Sequence, residues 1–188
     1  MNEIMPVKNR YHTSAIVLHW FMALAVIVML ISGLYMANGD MPKSDQYKMY
    51  QLHKAGGMTM LWMICFRIAI RLIQPPPSLP ADLSLTNKRV AKIGHLMLYA
   101  GLILLPISGW FMVSSSPFGL PTFVFVDWIK WPHIPWVSKN KFVETLSNTA
   151  HWILAYLMIV LITGHVAALI YHHKKHNINL LKRMWFRK

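Results

Sequence analysis

The sequence predicts an all-α fold, an integral membrane bundle of four transmembrane helices with both termini on the cytoplasmic side. Three observations carry this. Apolar residues fill 55% of the 188 positions and charged residues only 13%, about half the charged share of an ordinary soluble domain. The apolar residues gather in four blocks, each long enough to cross a bilayer, which takes roughly 20 residues of helix. The basic residues lie mostly on one side of those blocks, as the positive-inside rule asks of cytoplasmic segments.

The first span, about 14–36, reads SAIVLHWFMALAVIVMLISGLYM. It is too long for a signal-peptide core and no clean cleavage site follows, so it is expected to stay as an uncleaved helix. The second span, 49–73, stops at the proline-rich connector QPPPSLPADLSLTNK, 74–88. The third, 93–115, contains Pro106, which membrane helices tolerate. The fourth is 149–171, and one membrane domain is expected to take in 1–188. The 116–148 connection carries Trp128, Trp131 and Trp136 among prolines. Such aromatics favour the headgroup region, so this loop is expected to lie on the outer membrane surface as a partial lid. No internal repeat or low-complexity tract is evident.

The net charge is +13. Thirteen of the nineteen basic residues sit before span one, from Arg67 to Lys92 around the 74–88 connector, or in the tail. The two outer connections carry Asp40, Asp45, Asp127 and Glu144 beside their lysines. This pattern serves topology and contact with anionic lipid headgroups; it is not the continuous basic face of a nucleic-acid binder. Cys65, in the second block, is the single cysteine. That excludes an internal disulfide and the C-x-x-C-H attachment of c-type haem.

Five of the ten histidines, His12, His133, His172, His173 and His176, fall outside or at the ends of the spans. The other five, His19, His53, His95, His151 and His165, lie within apolar blocks. Imidazole in lipid is costly, so these should face the bundle interior and find partners. A rise of about 1.5 Å per residue sorts them by depth. His19, His95 and His165 fall near the cytoplasmic side, His53 and His151 near the outer side. His151 and His165 are fourteen residues apart, which brings a helix back to within about 40° of the same face, some 21 Å further along. The same step from His19 reaches Gly33, and from His53 reaches Arg67. A glycine would let a flat macrocycle approach the backbone, and an arginine could pair with a propionate.

Zinc in a structural site takes four ligands, and neither layer holds four suitable residues. Haem takes two axial ligands and is otherwise at home among apolar side chains. Two haem b groups, one per layer, would form an electron path across the membrane. A histidine-lined metal or proton transporter is the alternative of a different class, although no intramembrane carboxylate accompanies the histidines. A purely structural anchor is a third. Lys54, beside His53, reads either as a cation for anions or a propionate, or as a side chain that snorkels outward.

The stretches AIVLHW, MYQLHKAGG, FRIAIRL and IGHLMLY, with the His151/His165 pair and the following YHH and LLKRM, resemble the bacterial cytochrome b561 family over nearly the whole chain. The fourteen-residue pair is also similar to that of the di-haem subunits of respiratory formate dehydrogenase and hydrogenase. The resemblance implies a bacterial inner-membrane protein whose cytoplasmic haem b is held by His19 and His165, and whose outer haem b is held by His53 and His151. It leaves His95 as a candidate quinone-site residue. It implies electron transfer between a periplasmic donor, superoxide in one version, and the ubiquinone pool. A carrier subunit serving a protein partner is the runner-up. No catalytic residue is assigned.

Overall fold

The computed structural model describes residues 10–124 and 129–186. Four long helices dominate it: α1 (Thr13–Asn38), α2 (Lys43–Ile73), α3 (Leu85–Ser115) and α4 (Lys141–His176). Each predicted span falls inside one of them, and all four are long and apolar enough to cross a membrane. Their ends follow local chemistry. The His12 side chain accepts from the Ser14 backbone N–H, Ser84 from Asn87 and Asn140 from Val143, each satisfying an amide that the first helical turn leaves open. Helix α4 ends at Asn177 in the left-handed conformation, φ 52°, which asparagine tolerates better than most residues.

Helix α1 packs on α2, α2 on α3, and α3 on α4. A core of Met22, Met60 and Ile64, flanked by Leu18, Val26, Tyr99 and Leu102, fills the middle. The outward faces carry Phe21, Leu24, Ile153 and Val160, all exposed. That suits lipid, since exposed apolar side chains cost nothing in a hydrocarbon solvent. Cys65 also faces outward; its neighbours Ile64 and Arg67 take the inward positions on α2.

The connection after α3 is folded rather than draped. Strand β1 (Thr122–Val124) pairs antiparallel with β2 (Ile129–Trp131), placing Thr122 opposite Trp131 and Val124 opposite Ile129. The hairpin rests on α2. Trp131 lies edge-on to Trp62 of α2 at 6.1 Å and to Trp110 of α3 at 5.6 Å. Trp110 donates its indole N–H to the Pro132 carbonyl, 2.9 Å. Trp136 is largely exposed, and Trp128 lies outside the described residues. Lys54 does not snorkel: its Nζ donates to the Pro121 carbonyl at 2.7 Å and ties the hairpin to α2.

At the other end, the residues after α4 turn back across the bundle. A 3-10 turn, Leu181–Met184, brings the Arg183 carbonyl to the Tyr11 N–H at 3.2 Å and the Met184 carbonyl to the indole N–H of Trp20 at 2.7 Å. Arg10 donates to the Trp185 carbonyl. The Arg183 guanidinium donates to the carbonyls of Pro77 and Ser78, and Trp185 packs edge-on to Trp20. Both described chain ends therefore meet at one end of the bundle, the terminal end, opposite the hairpin end.

Candidate functional site

The five intramembrane histidines fall into the two layers expected from depth. At the hairpin end, His53 of α2 faces His151 of α4, with ring centroids 6.4 Å apart and planes at 75°. Each ring is held from the neighbouring helix. Ser32 Oγ of α1 lies 3.1 Å from His53 Nδ1, and Ser108 Oγ of α3 lies 3.0 Å from His151 Nδ1. His151 Nδ1 also lies 3.1 Å from the Leu105 carbonyl, an acceptor, so that nitrogen carries the proton. A glycine follows each serine. A Cβ at Gly33 would sit 3.3 Å from His53 Cε1, and one at Gly109 would sit 3.3 Å from His151 Cε1. The layer is thus built twice, as Ser-Gly on one helix against histidine on the next.

Neither Ser32, Ser108 nor Gly109 stood out in the sequence, and the expectation of no internal repeat is wrong. Helix α1 carries His19, then Ser32-Gly33; α3 carries His95, then Ser108-Gly109, at the same spacing. The tripeptide Ile-Ser-Gly recurs at 31–33 and 107–109. Helix α2 carries His53 and Arg67; α4 carries His151 and His165, again fourteen apart. The α1–α2 and α3–α4 hairpins are two versions of one unit. Few residues are shared between them, so the match shows only once the structure reveals which positions face inward.

At the terminal end the two units diverge. Arg67 lies 3.1 Å from His19 Nδ1 and donates through Nε to the Tyr99 hydroxyl at 3.2 Å. The corresponding place on α4 is His165, whose ring lies 5.5 Å from that of His95. Arg67 Nη1 is buried without a hydrogen-bond partner, as is Gln74 Oε1. Both residues line a small cavity with Tyr11, Arg71 and Tyr99. A guanidinium keeps its charge, so this layer lacks an anion.

These residues fit haem. A nitrogen–metal bond of about 2.0 Å and an imidazole radius of about 1.1 Å, from ring bonds near 1.3 Å, put two opposed ring centroids about 6.2 Å apart. The hairpin-end pair matches that span. Ligating histidines usually donate their second nitrogen to an outer partner, as His151 does. The two glycines leave room for a flat group beside each ring, and Arg67 lacks the partner a propionate would supply. Outside the spans, burial, and then nearby Lys54, push the His133 imidazole below its usual range.

A four-helix membrane bundle that holds histidine pairs without cysteine attachment defines a class, the membrane cytochromes of the b type. The comparison with known proteins narrows it: residues 10–187 match the model of the prokaryotic cytochrome b561 family, and the chain belongs to that family. It is 29% identical over 177 residues to cytochrome b561 homolog 2 of Escherichia coli K12, covering 94% of this chain and 91% of that one. It is 26% identical to cytochrome b561 homolog 1 of the same organism, over 94% and 97% of the two chains. A probable superoxide oxidase, CybB, of Yersinia pestis is 28% identical over 94% and 96%. The chain is a multi-pass bacterial membrane protein that binds haem b and serves electron transfer.

Proposed function

We propose that the protein is a di-haem cytochrome that carries electrons across the bacterial inner membrane from a periplasmic one-electron donor to ubiquinone. In this reading the terminal end, with its basic residues, is cytoplasmic and the hairpin end periplasmic. The observation that carries the reading is the His53–His151 pair, spaced at 6.4 Å with serine and glycine behind each ring. His53 and His151 would hold the outer haem, and His165 with His19 the inner one. Haem bound there would supply one-electron chemistry.

The chain's own residues do the rest. Ser32 and Ser108 orient the outer rings. Gly33 gives the outer macrocycle room. Arg67 neutralises an inner propionate, and His95, in the same layer, is the hydrogen-bonding partner for a quinone headgroup. Superoxide is the donor favoured by the name of the Yersinia pestis relative. Lys54 and Lys130 lie close enough to His133 to act on it electrostatically, so the approach over the hairpin is cationic, which would steer a small anion. Two superoxide anions would give two dioxygen molecules and, with two protons, reduce one ubiquinone to ubiquinol.

The test is a reduced-minus-oxidised spectrum of protein purified in mild detergent, followed by stopped-flow mixing with superoxide. Two low-spin haem b per chain and near-diffusion-limited reduction are expected. A folded chain without haem overturns the cytochrome reading of these histidines. Two haems with slow reduction transfer the donor role to a periplasmic protein or soluble carrier.

A further inference from the structure

The repeat runs through the middle of the bundle as well as its two ends. Helix α2 carries His53, Met60 and Arg67, and α4 carries His151, Met158 and His165, in steps of seven. Seven residues bring a helix to within about 20° of the same face and advance it about 10.5 Å. Both methionines therefore share the histidine-bearing face, halfway between the layers. The same step gives His19, Val26 and Gly33 on α1, and His95, Leu102 and Gly109 on α3. All four midpoint residues are apolar. Met60 and Met158 are buried, and Val26 and Leu102 pack against the core of Met22, Met60 and Ile64. Helix α3 makes room for Met158: a Cβ at Gly101 would overlap its sulfur. Methionine is unbranched and fills irregular gaps. The neighbouring hydroxyls are engaged elsewhere. Thr59 donates to the Ala55 carbonyl of its own helix, and the Tyr99 hydroxyl accepts from Arg67 in the terminal layer.

We propose that Val26, Met60, Leu102 and Met158 form an apolar septum between the two histidine layers that lets electrons cross and holds protons back, with Gly101 as the seat of Met158. This rests on the di-haem reading. Electrons tunnel through packed apolar side chains. Protons need water or a relay of titratable groups, and a tightly packed apolar layer stays dry. One electron passing from the outer site to the inner oxidises the first iron and reduces the second, and no proton travels with it. The two protons that ubiquinone takes up on reduction are then drawn from the terminal end.

The experiment places the full haem-loaded chain in phospholipid vesicles that enclose a pH-sensitive dye. A potassium gradient with valinomycin drives protons across, the dye reads the leak, and haem b per chain is counted on the same samples. Wild-type vesicles should leak no faster than protein-free ones. Met158→Asp puts a titratable group at the midpoint and should raise the leak by about ten-fold or more, with both haems retained. Met158→Leu keeps bulk and polarity and should stay as tight as wild type. A wild-type leak above that of protein-free vesicles overturns the septum, and that measurement stands even where the aspartate variant does not fold. So does a two-haem Met158→Asp chain that leaks no faster than wild type, or a Met158→Leu chain that leaks as fast as the aspartate variant. Fewer than two haems in the wild type refutes the di-haem reading itself, and the septum with it.

Discussion

The two histidine layers are built from the same repeated unit, yet they differ in kind. At the hairpin end both units contribute the same three groups, and the layer is close to two-fold symmetric, with serine-to-imidazole distances of 3.1 and 3.0 Å. At the terminal end one unit supplies Arg67 where the other supplies His165. The symmetric layer has two imidazoles and no alternative. The asymmetric layer has three imidazoles and a fixed positive charge. Symmetry suits a single rigid electron-transfer centre. Broken symmetry suits a place where protons and a second reactant must be handled.

The largest break in this comparison is His151→Ala. His53 has His151 as its facing ring, so the outer haem should be lost completely while the inner one stays. A haem count of one per chain checks this, and an unchanged count of two would dissolve the contrast between the layers. Next comes Gly109→Val. A Cβ at 3.3 Å from His151 Cε1, with two methyls beyond it, displaces the ring, and strain of about 1–3 kcal/mol is typical of overpacking. Outer-haem occupancy should fall by several-fold, with the inner haem untouched, read from the same spectra. The smallest is Ser32→Ala. It removes one outer partner of His53, and such partners are commonly worth about 10- to 100-fold in metal affinity. Haem release to a competing apoprotein should quicken by about ten-fold from the outer site only. An equal effect at both sites would show that Ser32 serves the bundle as a whole.

Much of the site was legible because intramembrane histidines are costly and therefore conspicuous. Their depths followed from the helical rise alone, and Arg67 and Gly33 followed from the fourteen-residue step. The serines were not legible. Ser32 and Ser108 also bond to their own helices, at Met29 and Leu105, so a serine in an apolar helix has an ordinary local explanation. Only the neighbouring helix shows that its hydroxyl meets an imidazole. The hairpin escaped notice because its strands have three residues each, too short for alternation to register, and Trp131 is anchored by rings on two distant helices. For Lys54 the sequence offered an anion-binding role and an outward one; it does not show that its Nζ reaches a backbone carbonyl 67 positions away.

The tail that returns over the terminal end sets an order of assembly. Trp20, next to His19, is tied to the carbonyl of Met184, 164 positions away. Tyr11 is tied to residue 183. Neither tie can form until α4 and the residues after it have been made, and contacts so distant in sequence are slow to close. His53 and His151 can meet earlier, once α4 has entered the membrane. The terminal end therefore stays untied while the four helices assemble, and the segment that follows α4 is the one that shuts it.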